Sequence, residues 1–492
     1  MHMMNLRSFI LIPETSNAAQ ESFETETIAE PPRSRKIALC SRSNTVGFLP
    51  SLVSLFADFT TLDTVVDHRC VATITGDRGS QINSLVILGD YIYAGTGCNS
   101  IIGVPTDSIR VWQRTTMKES MGFGAGYAAV KALVVGGNWI LSAHQDQRIR
   151  VWGKSGKIST NGTRRSKQVS DGYGQTRRDL VDGDDGQHKL IASMPTLRDY
   201  IKAFVAPRNY VQVRRHCKRL WIEHVDIISM LAIGGTADDP ILYSASWDRS
   251  IKVWRLSDLK CLESFKAHED AINALLVSPD GLLYSASSDA KIKVWGSSGA
   301  PEEEEQRRMP KSKKTSKHFL IASLEAHKAS VNALSLCKET HGEKFALYSA
   351  GSDKDIVVWE MEHEIRQMVP KGTLKGHRKA VLCLSSTADF LCSGSADRTI
   401  RVWRRSGASS GGLSSHCCVA ILQGHCGPIK CLAMSFSDED HCVLYSSSLD
   451  NQLKVWNLTV SMTVESVKDE GRGSAVNEPV ASLIAPWRFK SF

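Results

Sequence analysis

The chain has 492 residues, 42% hydrophobic and 23% charged, a balance that excludes a disordered or fibrous polymer and allows several domains or one long repeat array. The net charge of +8 is mild for this length and does not demand nucleic acid. Apolar runs fall short of the roughly 18–20 residues of a membrane span, and thirteen scattered cysteines, an odd number, point to free thiols rather than a disulfide framework.

In chain order, residues 1–69 come first and read as a disordered segment. They open with MHMMNLRSFILIPET, whose apolar core is too short for a secretory leader. CVATI, from Cys70, reads as a strand. Val-Trp then recurs seven times, ending at Trp112, Trp152, Trp254, Trp295, Trp359, Trp403 and Trp456. Each closes a short alternating run such as SIKVW or TIRVW, the period-two signature of a strand. Six residues before the last six tryptophans stand Asp146, Asp248, Asp289, Asp353, Asp397 and Asp450. Ten before them stand Ser142, Ser244, Ser285, Ser349, Ser393 and Ser446. An aspartate between two strands suits a tight hairpin, because its carboxylate accepts from nearby backbone N–H groups. The serine then lies on the first strand of that hairpin, opposite the tryptophan on the second. Upstream, His224, His268, His327, His377 and His425 each precede a leucine by seven residues on a third strand. A fourth apolar run, such as HFLIASLEAH, precedes most of these histidines. Four short strands repeated seven times predict an all-β fold, a single seven-bladed propeller of four-stranded antiparallel blades over residues 70–458. CVATI is then the outer strand of the last blade, closing the ring.

The units resemble WD repeats, whose pattern is a Gly-His pair, a Ser-x-Ser-x-Asp turn and a closing Trp-Asp. The order of blades and inserts is similar to plant seven-bladed proteins of the JINGUBANG type, most of all in PTLRDYIKAFVAPRNYVQVRRH, SDLKCLESFKAHEDAIN and GHRKAVLCL. That resemblance implies a non-enzymatic interaction scaffold or adaptor, regulatory in plant signalling or development, working in cytoplasm, nucleus or both. Blade one departs from the pattern: Thr106 stands at the turn position with Asp107 one place late, and Ile102 at the serine position. Arg78 and Gly126 stand where later blades have histidine, so blades one and two are expected to be the least tightly networked.

Four inserts interrupt the repeat, at 153–187, 195–223, 296–317 and 404–416, and a polar tail follows from 459 to 492. The first is glycine-rich and polar and the third switches from EEEE to RRMPKSKK, so both read as flexible loops; Lys311 to Lys314 hint at nuclear entry. The second mixes apolar residues with Arg198, Lys202, Arg208, Arg214, Arg215, Lys218 and Arg219. It reads either as a basic solvated loop packed on one edge or as a docking or anion-binding ledge.

Ser244, His224 and Asp248 are the residue types of a catalytic triad. Near-identical sets recur in five units, however, where an enzyme needs one. A shared internal brace explains the repetition, because a fully satisfied buried polar chain rigidifies each blade. GASSG at Gly407 has the nucleophile-elbow spacing but lies between two strands, without the helix that motif needs. Cys417, Cys418, His425 and Cys426 match no common zinc spacing. GFGAG at Gly122 lacks dinucleotide-site spacing. No metal and no cofactor are expected.

The expected partners are other proteins, bound by a monomeric propeller through the loops near the turn aspartates. Trp247, just before Asp248, is the one aromatic at its position; it either anchors a partner or packs on a neighbouring loop. Asp226 and Asp270, each two after a repeat histidine, would receive a basic peptide, and Arg214 and Arg215 an acidic one. Two other classes fit less well. A receptor of a cullin ubiquitin ligase needs a basic residue three after an anchor tryptophan, where Thr115, Ser155, Ser257, Ser298, Glu362, Ser406 and Thr459 stand. An RNA binder needs a basic stripe with stacking aromatics, and aromatics are 7%.

Overall fold

The computed structural model describes residues 62–464 apart from 76–80, 98–106, 155–187, 206–209, 215–216, 298–317, 339–344, 363–366, 407–414 and 439–440. Twenty-eight strands make seven four-stranded antiparallel sheets. Six blades are contiguous in sequence: 82–123, 130–194, 228–266, 272–325, 331–374 and 381–422. The seventh joins the strand Leu62–Thr75 to three strands from 429–464. The first strand of each blade packs against the first strands of its two neighbours, and the chain of neighbours returns from blade seven to blade one. The ring is therefore closed, and closure removes the sheet edges that an open β array leaves unpaired.

Burial follows position in the blade. The third strand of blade three, SIKVWR, is buried at four consecutive residues, because both faces are covered by neighbouring blades. Its outer strand, KCLESFK, is mostly half-buried. Seven hydrophobic clusters fill the seven seams. Each holds the anchor tryptophan of the later blade packed on the earlier one: Trp254 with Leu141 and Val151, Trp295 with Tyr243 and Val253, Trp112 with Tyr445 and Val455. The Val-Trp repeat thus encodes the contact between blades as well as the strand. At the seam of blades six and seven the sheets approach so closely that a Cβ on Gly394 would lie 2.6 Å from the Cys383 sulfur and 2.6 Å from Ile429.

Two expected boundaries move. The closing strand begins at Leu62, not at Cys70, and the last strand runs to Val464, past 459. The two pair antiparallel from Leu62↔Val464 to Thr75↔Gln452, with one bulge between Cys70 and Ala72. The β-branched runs DTVVD and LTVSMTV on either side of the expected limits favour this longer ladder. The insert 195–223 contains the helix Leu197–Val205 and a hairpin, Tyr210–Arg214 with Cys217–Leu220. Of the other inserts, 155–187, 298–317 and 407–414 lie outside the described residues, as do the expected N-terminal segment up to 61 and the tail from 465.

Candidate functional site

In blades three to seven the four repeat residues form one hydrogen-bond chain. In blade three the Trp254 indole N–H donates to Ser244 Oγ at 2.9 Å, and Ser244 Oγ donates to His224 Nε2 at 2.8 Å. His224 Nδ1 in turn donates to Asp248 Oδ2 at 2.9 Å. The same three bonds, between 2.8 and 2.9 Å, link Trp295, Ser285, His268 and Asp289; Trp359, Ser349, His327 and Asp353; Trp403, Ser393, His377 and Asp397; and Trp456, Ser446, His425 and Asp450. A neutral imidazole with its proton on Nδ1 satisfies every donor and acceptor in the chain. The aspartate also ties the loop. Asp248 Oδ2 accepts from the Val225 N–H at 2.8 Å, and Oδ1 from the Ser250 N–H at 2.9 Å. The residue after each turn aspartate is in the left-handed region, from φ 62° at Asn451 to 75° at Lys354.

Electrostatics fit this assignment. Burial pushes the imidazoles of His224, His268, His377 and His425 below their ordinary value, and the facing carboxylates do not restore it. Burial alone would raise Asp248, but bonds from His224, Ser250 and the Val225 N–H outweigh it and hold the carboxyl far down. Asp397 is likewise held at about 2 against burial, chiefly by Thr399 and the Arg378 N–H. The five serines are fully buried, and each accepts an indole N–H while donating to imidazole. No face of that oxygen is open to an acyl or phosphoryl substrate, so the serine of each triad-like set is enclosed.

Blades one and two depart from the expectation in different ways. The histidines of blades three to seven lie in the loop before the first strand and not on a strand as expected, whereas in blade two the brace is present with its histidine on the serine's own strand, Trp139–His144. His144, two residues after Ser142, accepts from Ser142 Oγ at 2.8 Å and donates from Nδ1 to the Ala128 carbonyl at 2.6 Å, while Trp152 donates to Ser142 at 2.7 Å. Burial, then Arg150, lower His144 to about 4. Asp146, released from any histidine, takes a bidentate pair with Arg150. In blade one the ten-residue count fails because the hairpin is longer. Ala94 pairs with Arg110 as Ser244 pairs with Lys252, so Ala94 holds the serine position, and no hydroxyl faces Trp112 from there. Ile102, Thr106 and Arg78 lie outside the described residues.

A second set of polar contacts was not read from the sequence. The outer strands of blades two and four begin with His188 and His318, that of blade six carries His416 as its second residue, and each ring packs on a tyrosine of the preceding blade. Ring centroids are 5.4 Å apart for Tyr93–His188, 5.4 Å for Tyr243–His318 and 5.6 Å for Tyr348–His416. The recurring histidine of HKLIASM, HFLIASL and HCCVAIL was a signal for it.

The loop residues fall as follows. Trp247 is 39% exposed, and so is Leu449 at the same hairpin position of blade seven. Asp226 is exposed and Asp270 half-buried, and each carboxylate accepts the N–H of its own next residue at 2.8 Å. The Arg214 side chain and all of Arg215 lie outside the described residues. The cysteines at 417, 418 and 426 are free thiols, and both His425 ring nitrogens are engaged in the brace. Among the described residues no group of three His, Cys, Asp or Glu side chains is arranged to hold a metal, and no helix is long and apolar enough to cross a membrane.

Five stretches, 216–255, 259–296, 319–360, 368–404 and 416–457, match the WD40 family (WD domain, G-beta repeat). They cover blades three to seven, where the Trp–Ser–His–Asp chain is complete. Small ribosomal subunit protein RACK1 of Drosophila melanogaster is 27% identical over 191 residues, 37% of this chain and 52% of that protein. Ribosome biogenesis protein YTM1 of Coccidioides immitis is 25% identical over 143 residues, 24% of this chain and 30% of that protein. Protein HIRA of Xenopus laevis is 33% identical over 138 residues, 24% of this chain and 13% of that protein. The chain spans about half the length of the first of these relatives and less of the other two. The chain is thus a closed seven-bladed β-propeller of four-stranded antiparallel blades, five of which match the WD40 repeat model.

Proposed function

We propose that this protein is a non-enzymatic interaction scaffold that holds partner proteins on the loop face carrying the turn aspartates. The observation that carries the reading is Trp247, 39% exposed at a hairpin position where other blades carry Gln145, Ser288, Ser352 and Ala396. An exposed indole on a loop fixed by a buried brace is a preorganised anchor, and tryptophan is enriched among residues that dominate binding energy. Leu449 adds a second apolar point, and Asp226, next to the Ile227 carbonyl that accepts the Trp247 N–H, places an acidic group beside it, which favours a partner segment with apolar and basic residues. Two similar proteins are named for the ribosome, which supports work within an assembly. The likeness of PTLRDYIKAFVAPRNYVQVRRH to the JINGUBANG type supports a regulatory role in plant signalling or development, in cytoplasm, nucleus or both.

Affinity purification of the full chain beside Trp247→Ala tests this. A partner captured by the wild type and lost from an equally stable variant is the expected result. Unchanged capture by Trp247→Ala would move the interface elsewhere.

A further inference from the structure

The seam between blades two and three carries a cleft of about 130 Å³ whose walls include Asp146, Arg148, Tyr200, Arg219 and Glu223. Arg148 comes from the blade-two hairpin turn and Arg219 from the strand Cys217–Leu220 of the insert. The carboxylates are already engaged. Asp146 accepts both guanidinium nitrogens of Arg150, and Glu223 accepts the Tyr200 hydroxyl at 2.6 Å and the Leu220 N–H at 3.3 Å. Burial, then the Glu223 bond, push Tyr200 up to about 12, so it stays a donor to that carboxylate. The arginines are not matched in the same way. Among the described residues Arg148 and Arg219 make no ion pair: Arg148 lies over the Tyr200 ring at 5.7 Å, and Arg219 donates to Gln147 Oε1 at a long 3.4 Å. Among the described residues two guanidinium groups therefore line a small cleft without an ion pair of their own, while Asp146 is paired with Arg150 and Glu223 is held by Tyr200 and the Leu220 N–H.

We propose that this cleft takes one phosphoryl group, carried on a phosphorylated serine or threonine of a partner protein. A phosphomonoester brings close to two negative charges and three acceptor oxygens, which matches two guanidinium forks better than a single carboxylate does. The cleft has room for a group of that size. The inference rests on the scaffold reading and adds a second contact to it.

The test is calorimetric titration of the full chain with N-acetyl-O-phosphoserine methylamide, its unphosphorylated counterpart and inorganic phosphate. The phosphoserine compound should bind saturably and more tightly than the other two. Arg148→Gln and Arg219→Gln should each weaken it by about tenfold, the loss of one charge-assisted contact, with unchanged melting temperature. Arg255→Gln, an exposed arginine paired with Asp258, should leave it unaltered. Equal binding of the unphosphorylated compound, or wild-type affinity in both cleft variants, overturns the proposal. Inorganic phosphate binding as tightly as the phosphoserine compound also overturns it, since the cleft would then hold a free anion. Partner capture through Trp247 is a separate readout, so either reading can fail alone.

Discussion

Tyr243 of blade three donates its hydroxyl to His318 Nε2 of blade four at 3.2 Å, with the two rings edge to face at 88°. The direction is fixed from the other side of the imidazole. His318 Nδ1 lies 2.9 Å from Glu263 Oε2, and a carboxylate only accepts, so the proton sits on Nδ1. Burial, then Glu263, hold Tyr243 at about 12, so the phenol keeps its proton. Blades three to seven are therefore each braced within themselves by Trp–Ser–His–Asp, and three of the seams are braced across by Tyr–His.

The seam contact predicts coupling. Tyr243→Phe should cost about 1 kcal/mol in urea denaturation, the usual net value of one hydrogen bond. His318→Ala should cost more, because it also removes a ring stacked on Phe265 and leaves Glu263 without its side-chain partner. A double-mutant cycle should return a coupling of at least about 0.5 kcal/mol. Additive losses would mean that the two rings do not act on each other.

Acid should destabilise the propeller in two stages. The imidazoles of His224, His268, His377 and His425 are depressed in the folded chain, so the unfolded chain binds their protons first. Stability is then complete above the unfolded value near 6.5 and falls as pH drops below it. Asp248 and Asp397 are also depressed when folded, so their contribution is present above about 3.8 and is lost below it. Denaturation midpoints measured from pH 8 to pH 3 should show both declines. A flat midpoint between pH 7 and pH 5 would contradict neutral buried imidazoles.

The turn after Asp289 offers a stabilising change. Ala290 has φ 66°, a conformation that disfavours any residue with a Cβ. Ala290→Gly should raise stability by up to about 1 kcal/mol, the strain relieved less the added freedom of the unfolded chain. A fall in melting temperature would show that the Ala290 side chain makes a contact worth more than its strain.

The closing ladder predicts a sharp truncation boundary. Removing residues 1–75 deletes the outer strand of blade seven and uncovers Gln452–Val464 along its whole paired length. The melting temperature should drop, and the loss should extend to the whole ring. Removing only 1–60 leaves the ladder intact and should not change it. Equal stability of the two truncations would refute closure through this strand.

Much of this architecture was legible because hairpin geometry fixes spacing. Asp248, Ser244 and Trp254 sit at constant offsets, since a short turn sets their register and five blades repeat it. Legibility ended where the turn changed length or the partner came from another blade. Ala94 was hidden because the blade-one hairpin is longer than the others. His144 was hidden because it reaches Ser142 from the same strand and not from the loop before the first strand. The Tyr–His seams join residues 68 to 95 apart in sequence, where no local pattern links them. Arg148 and Arg219 meet at one cleft only because the insert folds back over the blade-two turn.

The repeated polar set is held to tie blades three to seven together internally and to perform no chemistry. That role is tested most directly by the thermal melting of the full chain carrying His377→Ala. That change leaves Ser393 and Asp397 buried without their shared partner, and a loss of about 2–4 kcal/mol is expected from the two bonds and the small cavity. A melting temperature clearly below the wild type is the predicted result. A variant that melts together with the wild type would contradict the account.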